Sequence, residues 1–213
     1  MDRLEQIDTF TRFAQVSRET ILSLIKYEKI LISENKKLNL VGKSTENQIW
    51  IRHFLDSAQV IDFIDKNEKC IVDLGSGAGF PGLILSIILK DRKLDTKVQL
   101  IEKSRKKSIF LKKAIRLLDL KSEVLNINIM EESFNLNNST IVARAFKPME
   151  EIFKIVDGKV KNFNKIILFL GKNQKNDLLQ ASKKWDLKYK QSMSVTNNDS
   201  IIIQIGKLKK KIE

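Results

Sequence analysis

Apolar residues along this chain follow one rhythm in the first third and another in the rest. Leu4, Ile7, Phe10, Phe13 and Ala14 lie at helical spacing. Ser17 is placed to cap a second helix that carries Ile21, Leu22, Leu24, Ile25, Ile30 and Leu31. An irregular link follows over residues 35–44. Thr45 with Gln48 fits a capping box for a third helix with Ile49, Trp50, Phe54, Leu55, Ala58, Val60, Ile61 and Ile64. From residue 70 onward, short apolar runs alternate with amphipathic stretches. Strands are predicted at 70–74, 98–101, 124–127, 140–145 and 166–170, and helices at 81–90, 104–119, 149–160 and 172–185. The runs 187–195 and 200–205, joined by Thr196-Asn197-Asn198-Asp199, read as a hairpin, and the basic tail 207–211 reads as frayed.

Strands alternating with helices require a mostly parallel sheet covered on both faces. Five parallel strands followed by an antiparallel hairpin form the α/β, Rossmann-like architecture of class I methyltransferases, with a seven-stranded sheet. The expected organisation is an N-terminal helical extension over 1–66 and a methyltransferase domain over 67–213.

Composition narrows the chemistry. The chain has 213 residues, of which 42% are hydrophobic and 31% charged, as expected of a globular chain with a core. One cysteine excludes a disulfide framework and a cysteine-ligated metal site, and one histidine excludes a multi-histidine metal site. No run of about 18 uncharged apolar residues exists to cross a membrane. Residues 1–13 mix charges of both signs and lack the apolar core of a signal peptide, so a cytoplasmic monomer without a metal is expected. The net charge of +13 is one-sided: residues 1–66 hold ten Lys/Arg and ten Asp/Glu, and the remainder holds 29 and 16. An excess of that kind suits a polyanion such as a nucleic acid, although Lys-, Ile- and Asn-rich composition also raises it.

Four of the eight glycines, Gly75, Gly77, Gly79 and Gly82, fall with Pro81 inside eight consecutive residues. They follow a predicted strand and open a predicted helix, the context in which a glycine loop can cradle a ligand. Glu102 ends the next strand, where a carboxylate can accept hydrogen bonds from both hydroxyls of a ribose. The G-x-G-x-G spacing after Asp73 favours S-adenosylmethionine over a dinucleotide or a structural turn. Asp73 would orient the loop or meet the ammonium of the methionine moiety.

These residues resemble the RsmG/GidB family. Asp73–Gly82, Asn39-Leu40-Val41, Arg52-His53-Phe54-Leu55-Asp56-Ser57, Lys106-Lys107 with Phe110-Leu111, and Val142-Ala143-Arg144-Ala145-Phe146 match its elements in order. The resemblance implies an S-adenosylmethionine-dependent enzyme that methylates N7 of one guanine in the 530 loop of 16S rRNA. It implies that Gly75 and Phe80 line the cofactor site, with Met130 and Glu131 beside the adenine and Arg144 near the reaction centre. The chain departs from the family at Ile129, where members often carry Arg. The resemblance implies naked 16S rRNA or a small-subunit ribosomal particle as the substrate.

Guanine N7 carries a free lone pair in the ring plane, so the transfer needs positioning and no general base. No Asn-Pro-Pro-Tyr-like motif and no cysteine follow the fourth strand, and Cys70 reads as a core residue. Arg144 either holds guanine O6 or a phosphate, or forms a structural ion pair. Phe146 and Phe80 either stack on the base or belong to the core. His53, next to Arg52, is either structural or an RNA contact. Lys103, Arg105, Lys106, Lys107, Lys112, Lys113 and Arg116 run on with no acidic residue among them before Asp119, which favours phosphate contact over a merely solvated face, and Lys147 flanks the expected base pocket.

Overall fold

A computed structural model of the protein describes residues 1–132, 134, 136–160, 162–172 and 175–211. Seven strands form one sheet in the order β3-β2-β1-β4-β5-β7-β6. The strands are β1 (Cys70–Leu74), β2 (Lys97–Ile101), β3 (Ser122–Leu125), β4 (Thr140–Arg144), β5 (Lys165–Leu170), β6 (Trp185–Met193) and β7 (Ile201–Lys210). The first five are parallel; β7 pairs antiparallel with both β5 and β6. This is the predicted α/β sheet.

Alternation along β1 explains how both faces are covered. Ile71 faces a core shared with the N-terminal helices, whereas Val72 and Leu74 face a second core on the other side. The first core packs α1 (Arg3–Ala14), α2 (Arg18–Leu38), α4 (Gly82–Asp91) and α5 (Arg105–Leu118) against the sheet. The second packs α6 (Met149–Lys159) and α7 (Lys175–Lys184). Strand order reverses between β1 and β4, whose neighbouring carboxyl ends open a crevice at the topological switch point.

The N-terminal third departs from its predicted outline in several places. Ser17 does cap α2, accepting from Thr20 N. However, α2 runs to Leu38, because the Asn35 side chain accepts from Leu40 N and Val41 N and closes the helix end itself. The expected capping box of Thr45 and Gln48 does not form: the Thr45 hydroxyl donates to Gly42 O, and no side chain caps that turn. In place of one regular third helix there are a 3₁₀ turn (Lys43–Gln48), a π-helical turn (Trp50–Leu55), the short α3 (Asp56–Ala58) and another 3₁₀ turn (Ile61–Phe63). Aromatic packing accompanies the widened turn, since Trp50 meets both Phe10 and Phe54 edge-on, and Phe54 stacks on Tyr27. Leu4, Phe13, Leu22 and Ile109, assigned by periodicity to buried faces, are exposed.

Three boundaries also shift later in the chain. β3 begins two residues earlier than predicted, and Trp185 opens β6 rather than ending a helix. Positions 173 and 174 of the predicted 172–185 helix lie outside the described residues. Residues 207–210, expected to fray, continue β7 by pairing with 185–188 of β6, past a register shift at Lys188/Tyr189. Cys70 lies half-buried at the start of β1, its thiol raised by burial and by Glu68.

Candidate active site

The loop between β1 and α4 is built on Asp73. Its side chain is fully buried, and Oδ2 accepts from Gly82 N at 3.0 Å, fixing the first turn of α4 beneath the strand end. Gly82 must be glycine: a Cβ there would run into Leu100 and into Asp73 itself. Gly75, Gly77 and Gly79 have φ of 70°, 57° and 97°, which strain any other residue. The loop is tied sideways to β2, since Ser76 N donates to Ile101 O at 3.0 Å. It is also tied to the N-terminal helices, since the buried Tyr27 hydroxyl donates to Ala78 O.

Glu102 closes the other side. Its Oε2 accepts from Gly77 N at 2.9 Å and its Oε1 from Ser104 N at 2.7 Å, so the carboxylate braces the glycine loop while its remaining lone pairs face the crevice. Asn126 Nδ2 donates to the carbonyls of Glu102 and Lys103 and holds this turn against β3.

These elements surround a cavity of about 650 Å³, within the roughly 300–1,000 Å³ usual for small-molecule sites. Gly75, Gly77, Phe80, Glu102, Met130, Glu131, His53, Lys107, Arg144, Phe146 and Lys147 all line it, so most of the sequence-predicted residues converge. Asp73 and Gly79 sit behind the wall and shape it. Arg105 and Lys106 are exposed on α5 outside it, and Arg52 lines a neighbouring cavity instead. Lys103, read as part of the basic run, and Leu40-Val41, read as a family element, line it too, whereas Gly42 and Asn128 are lining residues that sequence reasoning missed.

Arg144, at the end of β4, is anchored by the N-terminal segment. Its Nε lies 2.8 Å from Asp56 Oδ2, its Nη2 donates to Arg52 O at 2.6 Å, and its Nη1 lies 3.3 Å from His53 Nδ1. The ion-pair reading of Arg144 is therefore realised, and the residue still borders the cavity. Arginine can only donate, so His53 Nδ1 accepts and the ring proton resides on Nε2. That proton points to Thr45 Oγ1 at 2.9 Å, and the Thr45 hydroxyl in turn donates to Gly42 O. Burial first, then Arg144 and Arg52, lower the His53 pKa to about 3, so the imidazole is neutral. His53 also stacks on Phe80 at 5.0 Å, and the Arg144 guanidinium lies 5.9 Å from the same ring.

The next residue, Ala145, has φ of 51°, rare for a side chain with Cβ, and the turn it makes brings Phe146 back over Gly75. A Cβ on Gly75 would collide with the Phe146 ring. One polar atom in this region has no partner: Asp73 Oδ1 is buried without a hydrogen bond. Burial raises the Asp73 pKa to about 7 against the hydrogen bond that Gly82 N donates to Oδ2, while the Ser76 hydroxyl donates to the Asp73 backbone carbonyl. A glycine cradle, a carboxylate on the cavity wall at the end of β2 and an orphaned acceptor behind the loop fit S-adenosylmethionine, a nucleoside sulfonium carrying an ammonium group.

Comparisons with known proteins give the family and the fold. The family model described as rRNA small subunit methyltransferase G matches residues 20–202. The chain belongs to this family. It is 41% identical to the ribosomal RNA small subunit methyltransferase G of Pelagibacter ubique over 198 residues, covering 92% of each chain. Against the protein of the same name from Rickettsia akari, identity is 35% over 196 residues, covering 92% of this chain and 98% of the other. Among solved structures, M. capricolum TrmK with S-adenosyl-homocysteine has a TM-score of 0.51 at 19% identity, over 70% of this chain and 66% of that one. A TehB-like S-adenosylmethionine-dependent methyltransferase from Corynebacterium glutamicum has a TM-score of 0.54 at 15% identity, over 71% and 87%. At those identities the structures speak to the fold, which is the class I methyltransferase fold. Membership of the rRNA small subunit methyltransferase G family makes the chain a methyltransferase. Among the described residues no three His, Cys, Asp or Glu side chains gather as a metal ion requires, and no helix is long and apolar enough to cross a membrane.

Proposed function

We propose that the protein transfers the methyl group of S-adenosylmethionine to N7 of a guanine in 16S rRNA, acting as a cytoplasmic monomer on the RNA or on a small-subunit particle. The observation that carries this reading is one cavity bordered both by the glycine loop with Glu102 and by the Arg144–Phe146 turn. Donor and acceptor sites thus share one space. When bound, S-adenosylmethionine supplies an activated methyl on a sulfonium sulfur, and in-line displacement needs nucleophile, carbon and sulfur nearly collinear.

Each residue contributes positioning. Glu102 accepts from the ribose hydroxyls, Gly75 and Gly77 let the backbone approach, Gly79 gives the loop its turn behind them, and Asp73 Oδ1 attracts the ammonium through the loop. Met130 and Glu131 flank the adenine. Phe146 and Phe80 give flat apolar surfaces at the acceptor end, where a base entering from a loop or flipped from a helix can stack. Arg144 orients the base edge and is itself held by Asp56 and His53. Neutral His53 has its nitrogens occupied, which suits a holder of Arg144 rather than a base, and N7 requires no base. Arg52, Arg105, Lys106, Lys107 and Lys147 meet RNA phosphates. The 1–66 extension completes the acceptor side, and 67–213 forms the cofactor domain. Incubating the protein with labelled S-adenosylmethionine and either deproteinised 16S rRNA or small-subunit particles, then mapping the product, tests this. One 7-methylguanosine supports the reading, and label on another base or on protein contradicts it.

A further inference from the structure

Arg144 and Ala145 border a second cavity as well as the first. This one, about 230 Å³, lies on the far side of Arg144, between the N-terminal segment and the turn of the β6–β7 hairpin. Its charge is unbalanced. Asp56 is the acidic residue on its wall, and that carboxylate is already spent: Oδ2 on Arg144, and Oδ1 on Thr196 Oγ1 at 2.6 Å and Gln59 Nε2 at 2.8 Å. Arg52, also on the wall, has a guanidinium with no hydrogen bond or ion pair among the described residues, although it is close enough to Arg144 and His53 to repel a proton from each. Two guanidiniums against one carboxylate leave a net positive charge in a recess.

The turn supplies neutral donors. Asn197 Oδ1 accepts from Asp199 N at 2.9 Å, which fixes the side chain, and its amide N–H groups have no partner among the described residues. The Ser200 hydroxyl has no partner among the described residues, while Ser200 N is satisfied by Asn197 O. A planar cation with a full set of free donors, beside an amide and a hydroxyl, is the donor set that recognises a phosphate.

Resting on the function proposed above, we infer that this cavity seats a phosphodiester of the RNA strand next to the acceptor guanosine, with Arg52 as its charged ligand and Thr196, Asn197 and Ser200 as its neutral wall; Asp199 of the same turn does not line it and lies 3.7 Å from Lys172. Arg144 is the partition: its side chain stands between the methyl-transfer cavity and the phosphate seat. A strand with its base in the first cavity and its backbone in the second would be clamped on both sides of Arg144. The C-terminal hairpin then takes part in substrate binding.

The test is a chemical double-mutant cycle. 16S rRNA is ligated with one neutral methylphosphonate at the linkage either 5′ or 3′ of the acceptor guanosine, and Kd and kcat/KM are measured with the wild type and with Arg52→Gln. At one of the two linkages, neutralisation should weaken the wild type about tenfold, as loss of a charged hydrogen bond does. Arg52→Gln should lose about as much on unmodified RNA and nothing further on the neutral linkage, with unchanged S-adenosylmethionine affinity. Ser200→Ala, a milder change at the same wall, should lose a few-fold and also be less sensitive to the neutral linkage. Equal losses in wild type and Arg52→Gln, or no loss at either linkage, overturn the seat. If the wild type does not methylate unmodified 16S rRNA, the functional reading has failed and the seat falls with it; failure of the seat alone leaves that methylation intact.

Discussion

Asp56 holds the guanidinium of Arg144 by an Nε–Oδ2 ion pair of 2.8 Å, so a residue of the N-terminal segment fixes the side chain at the tip of β4. The same carboxylate reaches Thr196 in the C-terminal hairpin turn, which ties three distant parts of the chain together beside the cavity.

If this tether positions Arg144, removing either partner should do similar damage. Arg144→Ala and Asp56→Ala are each expected to reduce kcat by tenfold or more while changing S-adenosylmethionine affinity by less than threefold. The double variant should be little worse than either single one. Asp56→Ala also leaves a part-buried guanidinium unpaired, which costs about 3 kcal/mol of stability. Turnover, calorimetric affinity and urea unfolding separate these effects; additive losses in kcat would speak against a shared role.

Glu102 braces the loop and borders the cavity, and in the proposed reading it accepts from the ribose hydroxyls. Glu102→Ala should weaken S-adenosylmethionine binding by roughly ten- to a hundredfold, the range for losing hydrogen bonds to a charged acceptor. Isothermal calorimetry reads this directly, and unchanged affinity removes Glu102 from the cofactor site.

Gly75 and Phe146 are close enough to test as a pair. Gly75→Ala places a Cβ inside the Phe146 ring and a side chain at φ of 70°, so it should nearly abolish cofactor binding. Adding Phe146→Ala removes the clash but not the backbone strain, so part of the affinity should return. No recovery would mean that φ alone decides the position.

Asp73 predicts an unusual pH response. Burial raises its pKa from 3.8 to about 7, so between those values the folded chain holds more protons than the unfolded one. Stability from this group is complete below pH 3.8 and is lost as pH rises to 7, a loss on the order of a few kcal/mol. His53 acts in the opposite sense: with its pKa lowered from 6.5 to about 3, stability is present above 6.5 and falls as pH drops toward 3. The two slopes largely offset each other between about pH 4 and 6.5. Asp73→Asn keeps an acceptor for Gly82 N and removes the first slope. It should raise the Tm of the ligand-free protein at pH 8 and unmask a stability that climbs with pH. S-adenosylmethionine should then stabilise it far less than it does the wild type.

The exposed basic face of α5 has a simple signature. Lys113 pairs with Glu34, whereas Arg105, Lys106, Lys107, Lys112 and Arg116 have no ion pair among the described residues. Replacing Lys106 and Lys107 by Gln should lower RNA affinity and flatten the log Kd against log salt slope by about one to two. An unaltered slope would make them a solvated face.

The convergence of the glycine loop and Glu102 on one cavity was legible because it is local. Asp73, the glycines and Glu102 lie at the ends of two adjacent strands, and each residue type has a reason of its own there. Strand alternation and helix periodicity likewise gave the α/β sheet. The acceptor half was less legible because its contacts join distant segments. Nothing local in Thr45, read as a helix cap, says that its hydroxyl receives the His53 proton, and nothing in Thr196, read as a hairpin turn, says that it bonds Asp56. The π-helical turn at Trp50–Leu55 follows aromatic packing between α1, α2 and this segment, which periodicity does not register. The tail at 207–210 looked frayed because a row of lysines resembles a solvated end, whereas pairing with β6 is a long-range property.

Nucleoside mass spectrometry of 16S rRNA from cells with and without this protein tests the central claim most directly. The expected result is the loss of a single 7-methylguanosine on deletion, restored by the wild type and not by Glu102→Ala. An unchanged 7-methylguanosine content, or loss of a different modified nucleoside, would contradict it.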